Sequence, residues 1–165
     1  MSAPYFESEE IACEVYQLIG RIFVAWGALE RSVDMILWTS RSFNKKDGRA
    51  ILSWRNKIDA LSVFLNSHPK LSKKWCESAI QRLRKLGEVR NTLIHGYCSG
   101  MTIAKPITII FRAARFHADV TEHKQLNLSG QDLIDLIDEI VDLEEELLPV
   151  TLSQLGGQKR TAGEA

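Results

Sequence analysis

Residues 72–97 read SKKWCESAIQRLRKLGEVRNTLIHGY, and this stretch decides the fold. Ser72 is the residue type that caps the start of a helix, and Gly96 is the type that most often follows its end. The stretch therefore predicts an amphipathic helix between these two residues. Apolar side chains recur in it every three or four residues, which places them on one helical face: Trp75, Ala79, Leu83, Leu86, Val89 and Leu93.

Three more helices are predicted by the same period on either side of this stretch. The last of them starts at Ser129 and Asp132, which have the spacing of a capping box. Pro69 and Pro149 are expected to end the second and fourth helices, because proline cannot donate the backbone hydrogen bond of a helix interior. These helices are expected over about residues 8–41, 47–66 and 129–148.

Between the third and fourth helices the period changes. Residues 102–112 (TIAKPITIIFR) are rich in β-branched side chains, and Pro106 favours an edge strand or a bulge. Residues 115–125 are the expected antiparallel partner, with the turn near 113–114. The predicted fold class is all-α: a four-helix bundle with a β-hairpin inserted before the last main helix.

Length and composition are those of one globular domain. The chain has 165 residues, of which 45% are hydrophobic and 25% are charged. We expect a single domain over residues 1–155 and a disordered tail over 156–165. The N-terminal stretch has no features of a secretory signal, and no apolar run is long enough for a membrane, so a cytoplasmic location is predicted. The cysteines, Cys13, Cys76 and Cys98, are odd in number and are expected to be reduced.

The net charge of zero hides two segments of opposite sign. Residues 41–97 contain thirteen Lys and Arg side chains against four acids, a net charge of +9. Residues 129–148 contain eight acids and no base. The basic segment can attract a polyanion although the whole chain is neutral. The acids are expected to form a solvated helix face.

The end of the third helix carries residue types that can cleave a phosphodiester bond. Arg90 can clamp a phosphate with a fixed fork of donors, and His95 can transfer a proton near neutral pH. Asn91 can orient His95 or bind a phosphate oxygen. Such a set needs no metal or other cofactor, but it needs a ribose 2′-hydroxyl as nucleophile. The expected ligand is therefore RNA, and the expected product carries a 2′,3′-cyclic phosphate.

The spacing of Arg90 and His95 restricts how they could act together. Five residues on a regular helix place two side chains about 140° apart. Both can reach one phosphate only if the helix ends or bends between them, or if two protomers share a site. Glu88 lies on the face of Asn91 and His95, and Glu30 is a candidate supporting residue for Arg90. The neighbouring basic pair, Arg84 and Lys85, is expected to bind RNA.

The pattern Arg-x4-His-x-Tyr over residues 90–97, after three amphipathic helices, resembles the signature of HEPN domains. The resemblance implies an all-α fold and a homodimer in which the Arg and His residues of two subunits form a metal-independent RNase site. It implies a toxin–antitoxin or phage-defence setting, with an antitoxin as a further partner. In one branch of the family the antitoxin is a nucleotidyltransferase that adds AMP to the motif tyrosine, the position of Tyr97 here.

Other interpretations remain open. A HEPN-like module could bind RNA or a nucleotide without cleavage, or the bundle could serve protein–protein contacts only. Arg90 could instead pair with Glu30 or Glu88 at a purely structural helix end. His117, Asp119 and His123 match no zinc signature, and no metal is expected.

Overall fold

The computed structural model describes residues 9–39, 53–102, 107–117 and 120–158. It contains four helices and a small antiparallel sheet, as the predicted helical fold class requires. In chain order the elements are α1 (Glu9–Thr39), α2 (Trp54–Ser67), α3 (Lys73–His95), β1 (Tyr97–Thr102), β2 (Thr108–His117), β3 (Val120–Ser129) and α4 (Gly130–Gln158).

The second helix has a serine cap at its start. Ser53 has an extended backbone, and its hydroxyl accepts a hydrogen bond from the Asn56 N–H at 3.3 Å. A serine in this geometry is an N-cap, so α2 begins at Trp54, whereas residue 47, where the helix was predicted to start, lies outside the described residues. The helix ends where predicted, because His68 is extended as the residue before a proline usually is.

The fourth helix starts as predicted but continues past its predicted end. The Asp132 N–H donates to the Ser129 hydroxyl at 3.1 Å, and the Ser129 N–H donates to the Asp132 carboxylate at 2.7 Å, which confirms the capping box. Pro149 lies inside α4, which continues to Gln158, so the prediction that it ends the helix was wrong. Burial of Val150 and Thr151 just beyond the proline offsets the one backbone hydrogen bond that it removes.

The sheet has three strands in the order β1-β2-β3, and both pairs are antiparallel. The two-stranded prediction was therefore incomplete, since β1 starts directly after Gly96. The predicted turn was also misplaced: Ala113 and Ala114 are paired with Lys124 and His123 in the middle of the ladder. Pro106, expected at an edge or bulge, lies outside the described residues, and the ladder irregularity falls instead between Cys98 and Gly100.

The chain divides into two compact units, each made of two segments. The first comprises residues 1–24 and 88–139, with the sheet and the end of α3; the second comprises residues 25–87 and 140–165, with α2. The prediction of one domain over residues 1–155 stays a prediction. The core of the second unit is apolar, and its largest fully buried side chains include Leu29, Ile36, Leu61, Leu65, Leu83, Ile140 and Leu143.

The cysteines are free thiols, as predicted, and burial raises the pKa of the Cys76 thiol. No helix in the described part of the chain is both long enough and apolar enough to cross a lipid bilayer.

In the first unit, one face of the sheet is buried. Ile109, Phe111 and Ala113 alternate along β2 and are all buried, while Arg112 between them is exposed. Since side chains alternate between the two faces of a strand, Arg112 lies on the open face. This arrangement decides which side chains surround the end of α3.

Candidate functional site at the end of α3

Helix α3 is continuous through the whole motif. It extends from Lys73 to His95, and the Gly96 N–H still donates to the Thr92 carbonyl at 2.9 Å, the bond of a regular α-helical turn. The helix therefore does not end between Arg90 and His95, and their side chains leave its axis about 140° apart. Because the helix neither ends nor bends between them, Arg90 and His95 could act on one phosphate if two protomers share a site.

Arg90 is oriented by its neighbour in the sequence. Its Nη1 donates to the Asn91 Oδ1 at 3.1 Å, and both side chains are half-buried. Asn91 was expected to orient His95 or to bind a phosphate; in the structure its amide oxygen accepts from Arg90. Because the amide is neutral, this hydrogen bond positions the guanidinium without cancelling its charge.

His95 lies in the last turn of α3 and its side chain is exposed to solvent. An exposed imidazole at a helix end is accessible to an incoming ligand.

Glu88 is held by a residue that sequence reasoning missed. Its carboxylate accepts from the Lys124 ammonium at 2.8 Å, a contact that joins α3 to β3. The Glu88 side chain is 66% exposed, so the ion pair itself contributes little to stability. Lys124 is 36 residues away in sequence, and only the pairing of β3 with β2 brings it to α3.

Gly96 is needed for close packing. A Cβ at this position would collide with the Thr92 carbonyl oxygen and would lie 2.9 Å from the Arg112 carbonyl oxygen. Gly96 follows the end of α3 as predicted, and its backbone is not in the left-handed region. The backbone of Arg112 therefore packs directly against the residue that follows His95.

Arg112 is the second basic residue that sequence reasoning missed. Its Nε donates to the Gln125 Oε1 at 3.3 Å, and the Gln125 Nε2 donates to the Asn127 Oδ1 at 2.9 Å. Arg112 is aligned with Tyr97 on one side and with Gln125 on the other. The open face of the sheet thus carries a row of hydrogen-bonded polar side chains: Arg112, Gln125 and Asn127.

Three predicted residues belong to the second unit. The Glu30 carboxylate accepts from the Lys57 ammonium at 2.8 Å, so its observed partner is a lysine that sequence reasoning missed. Arg84 pairs with Asp59 at 3.0 Å, and Lys85 is exposed. Their predicted roles beside Arg90 and along RNA stay predictions.

Lys57 also contacts Asp34, whose carboxylate accepts from its ammonium at 2.9 Å. Burial of the ammonium lowers its pKa, but the hydrogen bonds to Asp34 and Glu30 outweigh this effect and leave the pKa of Lys57 above its usual value. These three charges stabilise the packing of α2 on α1, which is a structural role.

The remaining candidate residues are only partly described. Tyr97 opens β1, but its side chain is outside the described part of the structure, as are the side chains of His117, Asp119 and His123. Within the part that the structure describes, no cluster of three or more His, Cys, Asp or Glu residues could hold a metal ion.

No protein-family model, curated protein or solved structure matches this chain.

Proposed function

We propose that the chain is a metal-independent endoribonuclease of the HEPN type, with its site in a groove shared by two identical subunits. The observation that carries the proposal is the continuous helix α3, which holds Arg90 and His95 on different sides of its axis. One subunit can direct only one of the two side chains at a given phosphate. Helix α3 of the second subunit supplies the other. A toxin–antitoxin or phage-defence role belongs to the same proposal, with Tyr97 as a residue that lines the site or is modified there.

The proposed reaction needs one base and one acid. The His95 imidazole of one subunit takes the proton of the ribose 2′-hydroxyl, whose oxygen attacks phosphorus. The bond from phosphorus to the 5′-oxygen breaks, and the imidazolium of the other subunit's His95 protonates that leaving oxygen. The products are a 2′,3′-cyclic phosphate and a 5′-hydroxyl.

Arg90 has a separate task in this reaction. Charge accumulates on the non-bridging oxygens in the transition state, and a guanidinium already oriented by Asn91 stabilises it without further rearrangement.

The test is RNA cleavage in the presence of EDTA. Arg90→Ala and His95→Ala should each lower the rate by roughly 10²–10⁴-fold, the range for losing charge stabilisation or proton transfer. The helical circular dichroism signal should stay unchanged, since His95 is exposed and Arg90 half-buried. If the wild-type protein leaves every RNA intact, the proposed RNase activity is refuted.

Mixing wild-type protein with His95→Ala tests the shared site. A mixed dimer keeps only one His95 and lacks either the base or the acid, so it should be about as slow as the His95→Ala homodimer, whereas two independent sites would leave it half as active as the wild type. A stable monomer of 18.7 kDa at micromolar concentration would exclude the mechanism.

A second candidate is an RNA-binding module without catalysis. It is favoured by the amide-held arginines, Arg90 and Arg112, which bind phosphate without any proton transfer. Tight RNA binding that does not depend on His95, together with no cleavage, would decide for this function.

A further inference from the structure

Arg112 is a guanidinium held by a neutral amide, as Arg90 is. Within the part of the chain that the structure describes, no carboxylate lies within ion-pair distance of Arg112, and its Nε is held by the neutral amide of Gln125. By contrast, several basic side chains do pair with carboxylates: Lys57, Lys73, Arg82, Arg84 and Lys124. Arg112 is thus fixed in direction while it keeps its full positive charge.

The hydrogen bonds also decide which way the amides face. Gln125 uses its oxygen for Arg112 and its nitrogen for Asn127, so the amide orientation is determined at both ends. A guanidinium whose Nε is engaged still presents its terminal nitrogens, which match the oxygens of a phosphate. Gln125 and Asn127 are exposed and add neutral donors and acceptors beside it.

The position of this row connects it to the motif. A Cβ on Gly96 would lie 2.9 Å from the Arg112 carbonyl oxygen, and Gly96 directly follows His95. The strands carry the row on their open face, because Ile109 and Phe111 anchor the opposite face in the core. The Arg112 backbone thus lies beside the end of α3, while its side chain lies on the open face of the sheet.

From these observations we propose that Arg112, Gln125 and Asn127 form a binding subsite for the sugar–phosphate backbone of single-stranded RNA. The subsite rests on the proposed function, because it would hold the backbone of an RNA that extends beyond the linkage cleaved at His95. It repeats the arrangement of Arg90 and Asn91: a guanidinium oriented by an amide. Arg112 is a binding residue and takes no part in proton transfer.

The test uses an oligoribonucleotide with a 2′-O-methyl group on every ribose. Blocking the 2′-oxygen removes the nucleophile, so binding is measured without cleavage. Fluorescence anisotropy over a series of KCl concentrations gives the affinity and its salt dependence for the full-length protein.

Arg112→Gln should weaken binding roughly tenfold, the usual effect of losing a hydrogen bond to a charged group. The slope of log affinity against log salt should fall by about 0.7 for the one phosphate contact that is lost. Arg112→Lys should lie between the wild type and Arg112→Gln, since it keeps the charge but loses the planar fork.

Arg55→Gln is the matched control. Arg55 is an exposed arginine on α2, and the substitution removes the same charge. Its effect should stay within about twofold, because an exposed charge that contacts no phosphate is largely screened. Equal effects of Arg112→Gln and Arg55→Gln would overturn the subsite, as would no effect of either.

The outcomes separate the subsite from the proposed enzyme. Weaker binding by Arg112→Gln in a protein that never cleaves RNA keeps the subsite and removes the RNase. Normal binding by Arg112→Gln in an active RNase removes the subsite alone. Wild-type protein that fails to bind the oligonucleotide at all refutes both.

Discussion

Two glycines show how differently one added methyl group should act. In Gly96→Ala the new Cβ meets the Thr92 and Arg112 carbonyl oxygens, which belong to the backbone of α3 and β2 and cannot easily move. We expect a loss of about 1–3 kcal/mol in the free energy of unfolding, the usual cost of overpacking. Urea unfolding at neutral pH measures it.

Gly20→Ala is the control for that substitution. A Cβ at this position in α1 would meet nothing within 4 Å. Alanine is the better helix former, so a gain of about 0.5–1 kcal/mol is expected. Equal losses in both variants would show that Gly96 is not a packing contact.

Lys57 supplies a pH-dependent contribution. Its pKa is raised above the ordinary value of 10.5, so the stabilisation is complete below that pH and is lost as the pH rises through the higher folded value. Lys57→Met should lower the free energy of unfolding at pH 7 by about 1–3 kcal/mol, because two partly exposed carboxylates lose their partner.

The difference between wild type and Lys57→Met should shrink above pH 10.5. Urea titrations at pH 7 and pH 11 compare the two proteins. A difference that grows with pH would show that the ammonium is not the stabilising form.

At the residue scale, only the part of the candidate site that lies within α3 could be predicted from the sequence. Arg90, Asn91 and His95 are close in sequence, so a motif can identify them. Arg112 and Lys124 reach α3 through strand pairing, and no local pattern indicates that pairing. The contact of Glu30 with Lys57 could not be predicted for the same reason, since it depends on how α2 packs on α1.

At the element scale, the start of α4 depends on a short set of hydrogen bonds. The Ser129 hydroxyl and N–H both donate to Asp132, and these bonds hold the pKa of its carboxyl below the ordinary value of 3.8. Ser129→Ala removes the cap and should cost about 1 kcal/mol. Thermal unfolding followed by circular dichroism measures the loss.

The lowered pKa of Asp132 gives this contribution a definite sign. Its stabilisation is present above the unfolded value of 3.8 and disappears as the pH falls through the lower folded value. Asp132→Asn should therefore be less stable than wild type at pH 7 and nearly equal to it near pH 2. Asp138→Asn, an exposed position on the same helix, is the control for the loss of one carboxylate outside the capping box.

The elements themselves were predictable to different degrees. Helix starts with a side-chain cap, such as Ser72 and Ser129, could be read from the sequence because the capping bond is local. Strand β1 could not, since YCSGMT has neither regular alternation nor many β-branched residues. Its place in the sheet depends on β2, which lies later in the chain.

At the scale of the whole molecule, the acidic segment over residues 129–148 is more than a solvated helix face, because some of its carboxylates have partners. Glu146 of α4 accepts from Arg82 at 2.6 Å and from the Trp75 ring nitrogen at 3.1 Å, while Glu144 accepts from Ser32. Part of the acidic segment thus neutralises part of the basic one inside the second unit. The charge left for a polyanion is smaller than the sequence count of +9 over residues 41–97.

Lys85 offers the cleaner test of the predicted RNA track. Arg84 pairs with Asp59, so its reversal also breaks an ion pair, whereas Lys85 is exposed. Lys85→Glu should weaken RNA binding and lower the salt slope by about 0.7 if the lysine contacts one phosphate. Lys74→Glu, another exposed lysine of α3, controls for the change in net charge. Identical salt slopes in the two variants would exclude a track at Lys85.

The contact between Trp54 and Gly87 has a consequence for the order of folding. The indole nitrogen donates to the Leu83 carbonyl at 3.2 Å, the ring occupies the space above Gly87, and the Trp26 ring lies 4.5 Å away, centroid to centroid. Helix α2 has only 14 residues, a length at which an isolated helix is marginal in water. It is therefore expected to form only as it docks, late on the folding pathway, and the contact between the two indoles makes that step visible as a change in tryptophan emission in a stopped-flow experiment.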